Sequence, residues 1–93
     1  MSIISFDVDG TLQTYNNKTR WEIIDLMRIF HKLGHRIIVW SGGGKSYAEQ
    51  KVRELGLQEF VTSCHGKSDK DRPPVDLCFD DEFVDLAEVN IKV

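Results

Sequence analysis

Apolar residues fall in short blocks along the chain, separated by polar or glycine-containing stretches. The first block, Ser2–Phe6 ("SIISF"), is β-branched and aromatic with no alternation, which predicts a strand buried on both faces, as in a parallel sheet. The polar, turn-rich "QTYNNKT" that follows predicts a loop. Thr19 with Glu22 three residues later has the form of a capping box opening a helix. Ile23, Met27 and Phe30 then recur at helical spacing, and Ile24 and Leu26 widen the stripe. Gly34 suits the left-handed position past the helix end. A second strand, "HRIIVW", breaks at the glycine run Ser41–Gly44, and a second helix over Lys45–Leu55 closes at Gly56. "EFVTSC" predicts a short third strand, and "HGKSDKDRPP" a charged loop that its prolines keep irregular. "VDLCF" predicts a fourth strand, followed by the acidic run "DDEFVD" and a last strand in "EVNIKV". No repeat, linker or low-complexity tract interrupts this order, so residues 1–93 are expected to form a single domain.

Strands alternating with helices imply right-handed crossovers and a parallel sheet covered by helices. Such sheets bind ligands outside the carboxyl ends of their strands. Asp7 and Asp9 end the first strand, Ser41 ends the second, and Asp80 and Asp81 end the fourth. If those ends share one edge, four carboxylates meet there and repel one another unless a cation sits among them. Oxygen donors of this kind suit Mg²⁺, which also accepts phosphate oxygens. Asp7 is then placed to attack phosphorus, since carboxylates act as nucleophiles through an aspartyl-phosphate. Asp9 is placed to protonate the leaving oxygen and afterwards to activate water. Gly10 permits a sharp turn beside the site, while Ser41 and the amides of Gly42 and Gly43 offer hydrogen bonds to phosphate.

Each of these pieces has an ordinary reading on its own. Two aspartates at a strand end are often a turn or a cap, "SGGG" a flexible connection, and "DDE" a solvated acidic face. Lys67 alone is a surface lysine. Their order, each at a strand end or in the loop after it, is what carries the chemical reading.

Composition narrows the classes further. At 93 residues the chain buries roughly 60–65% of its unfolded surface, so its core is modest. With 41% hydrophobic and 29% charged residues it reads as an ordinary globular chain. A net charge of -3 lends no support to a nucleic-acid partner, short of a local basic patch. Cys64 and Cys78 lack metal-ligand spacing and sit in apolar surroundings, which predicts buried thiols. His31, His35 and His65 have no ligand spacing either, and Trp21 and Trp40 read as packing residues. No apolar run approaches the ~20 residues of a membrane span and the N-terminus lacks a secretory pattern, so a cytoplasmic location is expected.

The segment "FDVDGTL" resembles the first motif of the haloacid dehalogenase-like superfamily, mostly Mg²⁺-dependent phosphohydrolases. "IIVWSGG" resembles its second motif, a strand ending in Ser or Thr, and "DLCFDD" its fourth, an acidic pair ending a strand. The resemblance implies a three-layer α/β/α Rossmann-like fold with a mostly parallel central sheet. It implies Asp7 as nucleophile and metal ligand, and Asp9 as acid/base that also binds metal through its main-chain carbonyl. Gly10, Thr11, Ser41, Gly42 and Gly43 would bind the phosphoryl group, and Asp80 and Asp81 would complete the metal shell. For the third motif, a lysine, Lys67 is favoured over Lys70 because it follows Gly66 directly and is nearer the third strand; Arg72 is a weaker candidate, its fork being no equivalent of an ammonium. The loops after Leu12 and Cys64 are too short for the substrate-selecting cap that relatives carry. Capless relatives act on large substrates or borrow a neighbour's surface, so small molecules, macromolecule ends and a homo-oligomer all fit. The expected function is a Mg²⁺-dependent phosphatase, with a non-catalytic domain binding a phosphorylated ligand or a protein as the alternative.

Overall fold

The computed structural model describes residues 2–93. The elements run β1 (Ile3–Asp7), α1 (Trp21–Lys32), β2 (Arg36–Ser41), α2 (Lys45–Glu54), β3 (Ser63–Gly66), β4 (Leu77–Asp80) and β5 (Val89–Lys92). The strands form one open sheet in the order β3-β2-β1-β4-β5, and every pairing is parallel. This is the expected α/β Rossmann-like architecture. β1 lies at the centre with neighbours on both sides, which is why its run from Ile4 to Asp7 is buried throughout.

The strand order also decides where the helices go. From β1 through β2 to β3 the chain moves outward in one direction, so two right-handed crossovers leave α1 and α2 on the same face. On that face Ile4, Phe6, Ile37, Val39, Cys64 and Phe79 of the sheet pack with Ile23, Ile24 and Met27 of α1 and Ala48 and Val52 of α2. Phe6 and Phe79 stack with ring centroids 5.0 Å apart. The chain then crosses back to the other side of β1 for β4 and β5, without a helix. The opposite face, carrying Ile38, Trp40 and Cys78, is covered by Val75 and by Val84, Leu86 and Ala87 from the irregular connections on either side of β4. The Arg72 guanidinium lies 4.8 Å over the Trp40 ring, and Asn90 accepts the amides of Leu86 and Ala87 at 2.9 and 3.0 Å. The third layer is therefore made of loops held by side-chain hydrogen bonds and ring contacts rather than of helices.

Three local expectations give way to tertiary contacts. Helix α1 has no capping box: Arg20 is its N-cap, without a side-chain cap bond, and Thr19 bridges to Gln13 instead. Its entry is set by Arg20, whose amide donates to Leu12 (2.9 Å) and whose guanidinium donates to the Gly10 carbonyl at 2.7 Å. The third strand begins at Ser63 rather than Glu59, because Phe60 closes a turn onto Leu57 and pairing with β2 starts only after Thr62 meets Ile37. Trp21 is 64% exposed and so is no packing residue, whereas Trp40 is wholly buried. Cys64 and Cys78 are buried free thiols, as expected. Among the described residues, no helix is long and apolar enough to cross a membrane.

Candidate active site

β1 delivers Asp7 to the carboxyl edge of the sheet, and β4 delivers Asp80 beside it. The Phe6–Phe79 register pair places the next residues, Asp7 and Asp80, on the loop-covered face. Both carboxylates are nearly inaccessible, at 5% and 1% exposure. Asp81 follows on, and carboxylate oxygens of Asp7, Asp80 and Asp81 all lie within 4.8 Å of one another. Gly10, at φ +87°, passes so close that a Cβ there would overlap the Asp81 carboxyl.

One cation of the protein's own enters this cluster. Lys67, just past β3, sets its Nζ 2.9 Å from Oδ1 of Asp7 and 2.6 Å from Oδ2 of Asp80. Thr11 donates its hydroxyl to Oδ2 of Asp7 at 3.3 Å, the Glu82 amide donates to Asp80 at 3.0 Å, and Tyr15 donates to Oδ2 of Asp81 at 2.5 Å. Burial nevertheless dominates at Asp7: it and the neighbouring Asp80 and Asp81 outweigh Lys67 and push the carboxyl up to about 7. Asp81 loses by burial as well, but hydrogen bonds from Tyr15 and within the carboxyl cluster bring it below the usual value. Burial also opposes the charge on Lys67, and its bonds to Asp80 and Asp7 overcome this and raise its pKa. One ammonium thus leaves three converging carboxylates short of positive charge. Hard oxygen donors with excess negative charge are what a divalent cation such as Mg²⁺ needs, so the donor set fits one, with Asp7, Asp80 and Asp81 to hold it.

Asp9 does not join that group. The chain leaves the strand after Asp7, where the Val8 carbonyl accepts the amides of Thr11, Leu12 and Gln13, so strand alternation no longer governs Asp9. Its carboxylate instead accepts from Tyr47, whose hydroxyl is 2.9 Å from each oxygen, and from Gln13 Nε2 at 3.0 Å. The expected convergence of four side chains is therefore one of three. Ser41 ends β2, buried, and accepts the Gly43 amide at 3.0 Å, which commits one amide of the expected phosphate cradle internally; Gly42 and Gly43 are exposed. Lys70 is exposed and forms no ion pair among the described residues, and Arg72 is spent on Trp40. Tyr15, Tyr47 and Gln13 were not foreseen. Tyr47, in the first turn after a glycine run, had a positional signal; Tyr15 and Gln13 had none.

A family model described as haloacid dehalogenase-like hydrolase matches residues 4–72. The chain belongs to this family. The match takes in Asp7, Asp9, Ser41 and Lys67 of the hydrolase and stops short of Asp80 and Asp81, which the pairing of β4 with β1 brings to the same edge. Comparisons with curated proteins and with solved structures gave no match. Within a haloacid dehalogenase-like hydrolase, the acidic cluster is a candidate metal centre at the head of the sheet, and hydrolysis is the chemistry the family performs.

Proposed function

We propose that this protein is a Mg²⁺-dependent phosphatase that works through an aspartyl-phosphate on Asp7. The observation that carries the reading is the Asp7–Lys67–Asp80 arrangement: a buried carboxylate beside a fixed ammonium, with two more carboxylates within 4.8 Å. A nucleophilic carboxylate needs a positive environment for the phosphoryl group it attacks. Lys67 supports this, since its ammonium sits 2.9 Å from Oδ1 of Asp7. Bound to Asp7, Asp80 and Asp81, the metal would neutralise charge on the phosphoryl oxygens.

The remaining roles follow from the chain's own groups. Thr11 steadies Oδ2 of Asp7, and Ser41 at the end of the adjacent strand offers a hydroxyl to the phosphoryl group, with Gly10 closely approaching, Gly42 exposed and Gly43 holding Ser41 in place through its amide. Asp9 serves as acid in the first step and base in the second. The substrate is a phosphomonoester.

The test is phosphate release from a panel of phosphomonoesters with Mg²⁺ or with chelator, followed by acid quench to trap label on Asp7. Mg²⁺-dependent release that Asp7→Asn abolishes supports the reading. Release unaffected by Asp7→Asn rules out the covalent route, and binding of phosphorylated compounds without any release favours a non-catalytic domain.

A further inference from the structure

The side chain of Tyr47 spans from α2 to the loop after β1 and ends on Asp9, its hydroxyl equidistant at 2.9 Å from the two carboxylate oxygens. The ring is half-buried against the helix-side core. Gly43 lies beside it, a Cβ there standing 3.4 Å from the ring, and the Lys51 ammonium lies 5.6 Å from its centroid. Gln13, bridged to Asp9 through the backbone as well, adds a second donor to the same carboxylate at 3.0 Å.

We propose that Tyr47 is a positioning residue for phosphoryl transfer, fixing the orientation of the Asp9 carboxyl. This rests on the phosphatase reading above and adds the group that governs its proton steps. In the first step a bond forms from Asp7 to phosphorus as the ester P–O bond breaks, and the Asp9 carboxylic acid gives its proton to the departing oxygen. In the second, Asp9 as carboxylate takes a proton from water while the water oxygen bonds to phosphorus and the Asp7–phosphorus bond breaks, releasing phosphate. The charges balance in both steps, and Asp9 returns to the acid form. A phenol suits this cycle because its O–H donates to the carboxylate and to the carbonyl oxygen of the carboxylic acid alike, leaving the acid's own proton for the departing oxygen. Gln13 Nε2 donates to Oδ1 of Asp9 in the same way. Tyr47 stays protonated throughout, since burial and the adjacent Asp9 push it up to about 12.

Tyr47→Phe keeps the ring and removes only the hydroxyl. The experiment measures steady-state kinetics with p-nitrophenyl phosphate, whose leaving group needs little protonation, and with glycerol 2-phosphate, whose leaving group needs it fully. Trapped acyl phosphate is read as added mass on the intact protein, and both are repeated in an Asp9→Asn background. Expected are a loss of tenfold or more in kcat for glycerol 2-phosphate with KM within twofold, and a visible build-up of acyl phosphate with p-nitrophenyl phosphate. No further loss should appear when Tyr47→Phe is added to Asp9→Asn. An unchanged kcat on both esters without acyl phosphate build-up, or a loss that persists on top of Asp9→Asn, overturns the assignment. A wild type that releases phosphate from neither ester removes the phosphatase reading itself, and the role of Tyr47 with it.

Discussion

Gly10 and Asp81 are in such close contact that any side chain at position 10 would occupy the space of the Asp81 carboxyl. The glycine's φ of +87° adds a backbone reason, because L residues with a Cβ rarely adopt it. Gly10→Ala should therefore act twice: about 1 kcal/mol of backbone strain, and displacement of Asp81 from the acidic cluster. The expected result is a lower melting temperature together with a Mg²⁺ affinity weakened at least severalfold, measured by titrating Mg²⁺ against thermal unfolding. A variant that melts lower but keeps its full response to Mg²⁺ would place Asp81 outside the metal shell.

The raised pKa of Asp7 makes stability depend on pH in a defined direction. Its folded value, about 7, lies above the ordinary 3.8, so between these values the folded state holds a proton that the unfolded state has released. Stability of the metal-free protein should then fall as pH rises from about 4 to about 7, by an amount on the order of 4 kcal/mol if the shift is fully expressed. Asp81, shifted below its ordinary value, contributes its loss only at lower pH and does not mask this window. Thermal melts in chelator from pH 4 to 8 should show the decline, and millimolar Mg²⁺ should flatten it by binding the ionised native state. In chelator at pH 8, Asp7→Asn should melt higher than wild type and gain little from Mg²⁺.

Lys67 and Lys70 lie three positions apart and differ completely in environment. Lys67 pairs with Asp7 and Asp80, while Lys70 is exposed. Lys67→Ala should lower phosphatase turnover by more than tenfold, since the phosphoryl group and Asp7 lose their fixed positive charge. Lys70→Ala should stay within about twofold of wild type, in line with an exposed side chain of no defined contact. Rates for the two variants under saturating Mg²⁺ decide the matter, and the reverse order would remove Lys67 from the site.

The two aromatic faces predict unlike responses to truncation. Phe6 is wholly buried and stacked on Phe79, so Phe6→Ala should cost about 3–5 kcal/mol. Trp21, at 64% exposure on the first turn of α1, should change stability by no more than about 0.5 kcal/mol when replaced by Ala. Urea unfolding of both variants checks the contrast.

What the sequence determined by itself is the set of elements and the identity of their chemical ends. The unbroken apolar run of β1, the helical stripe of Ile23, Met27 and Phe30, and the glycines at 34 and 56 are local signals, and each structure formed where its signal lay. The aspartates at the ends of β1 and β4 and Ser41 at the end of β2 were legible for the same reason: a polar residue ending an apolar strand is a local statement. Lys67 was legible through its nearness to β3 and became distinct from Lys70 only through its contacts. Tertiary structure decided the rest. That β4 pairs with β1 rather than β3 is a choice among distant partners, and it alone brings Asp80 beside Asp7. The outward order from β1 through β2 to β3 put both helices on one face, and the helix-free return to β4 left the other to loops pinned by Arg72 and Asn90, which no periodicity encodes. Thr19 had the pattern of a cap but the Arg20 bonds to Leu12 and Gly10 set the helix start, because contacts from outside the segment outweigh a capping preference of about 1 kcal/mol. Asp9, two residues from Asp7, would share its face only if the strand continued. The turn on the Val8 carbonyl ends it first, and the side chain is claimed by Tyr47, 38 residues away, a partner that spacing along the chain could not name.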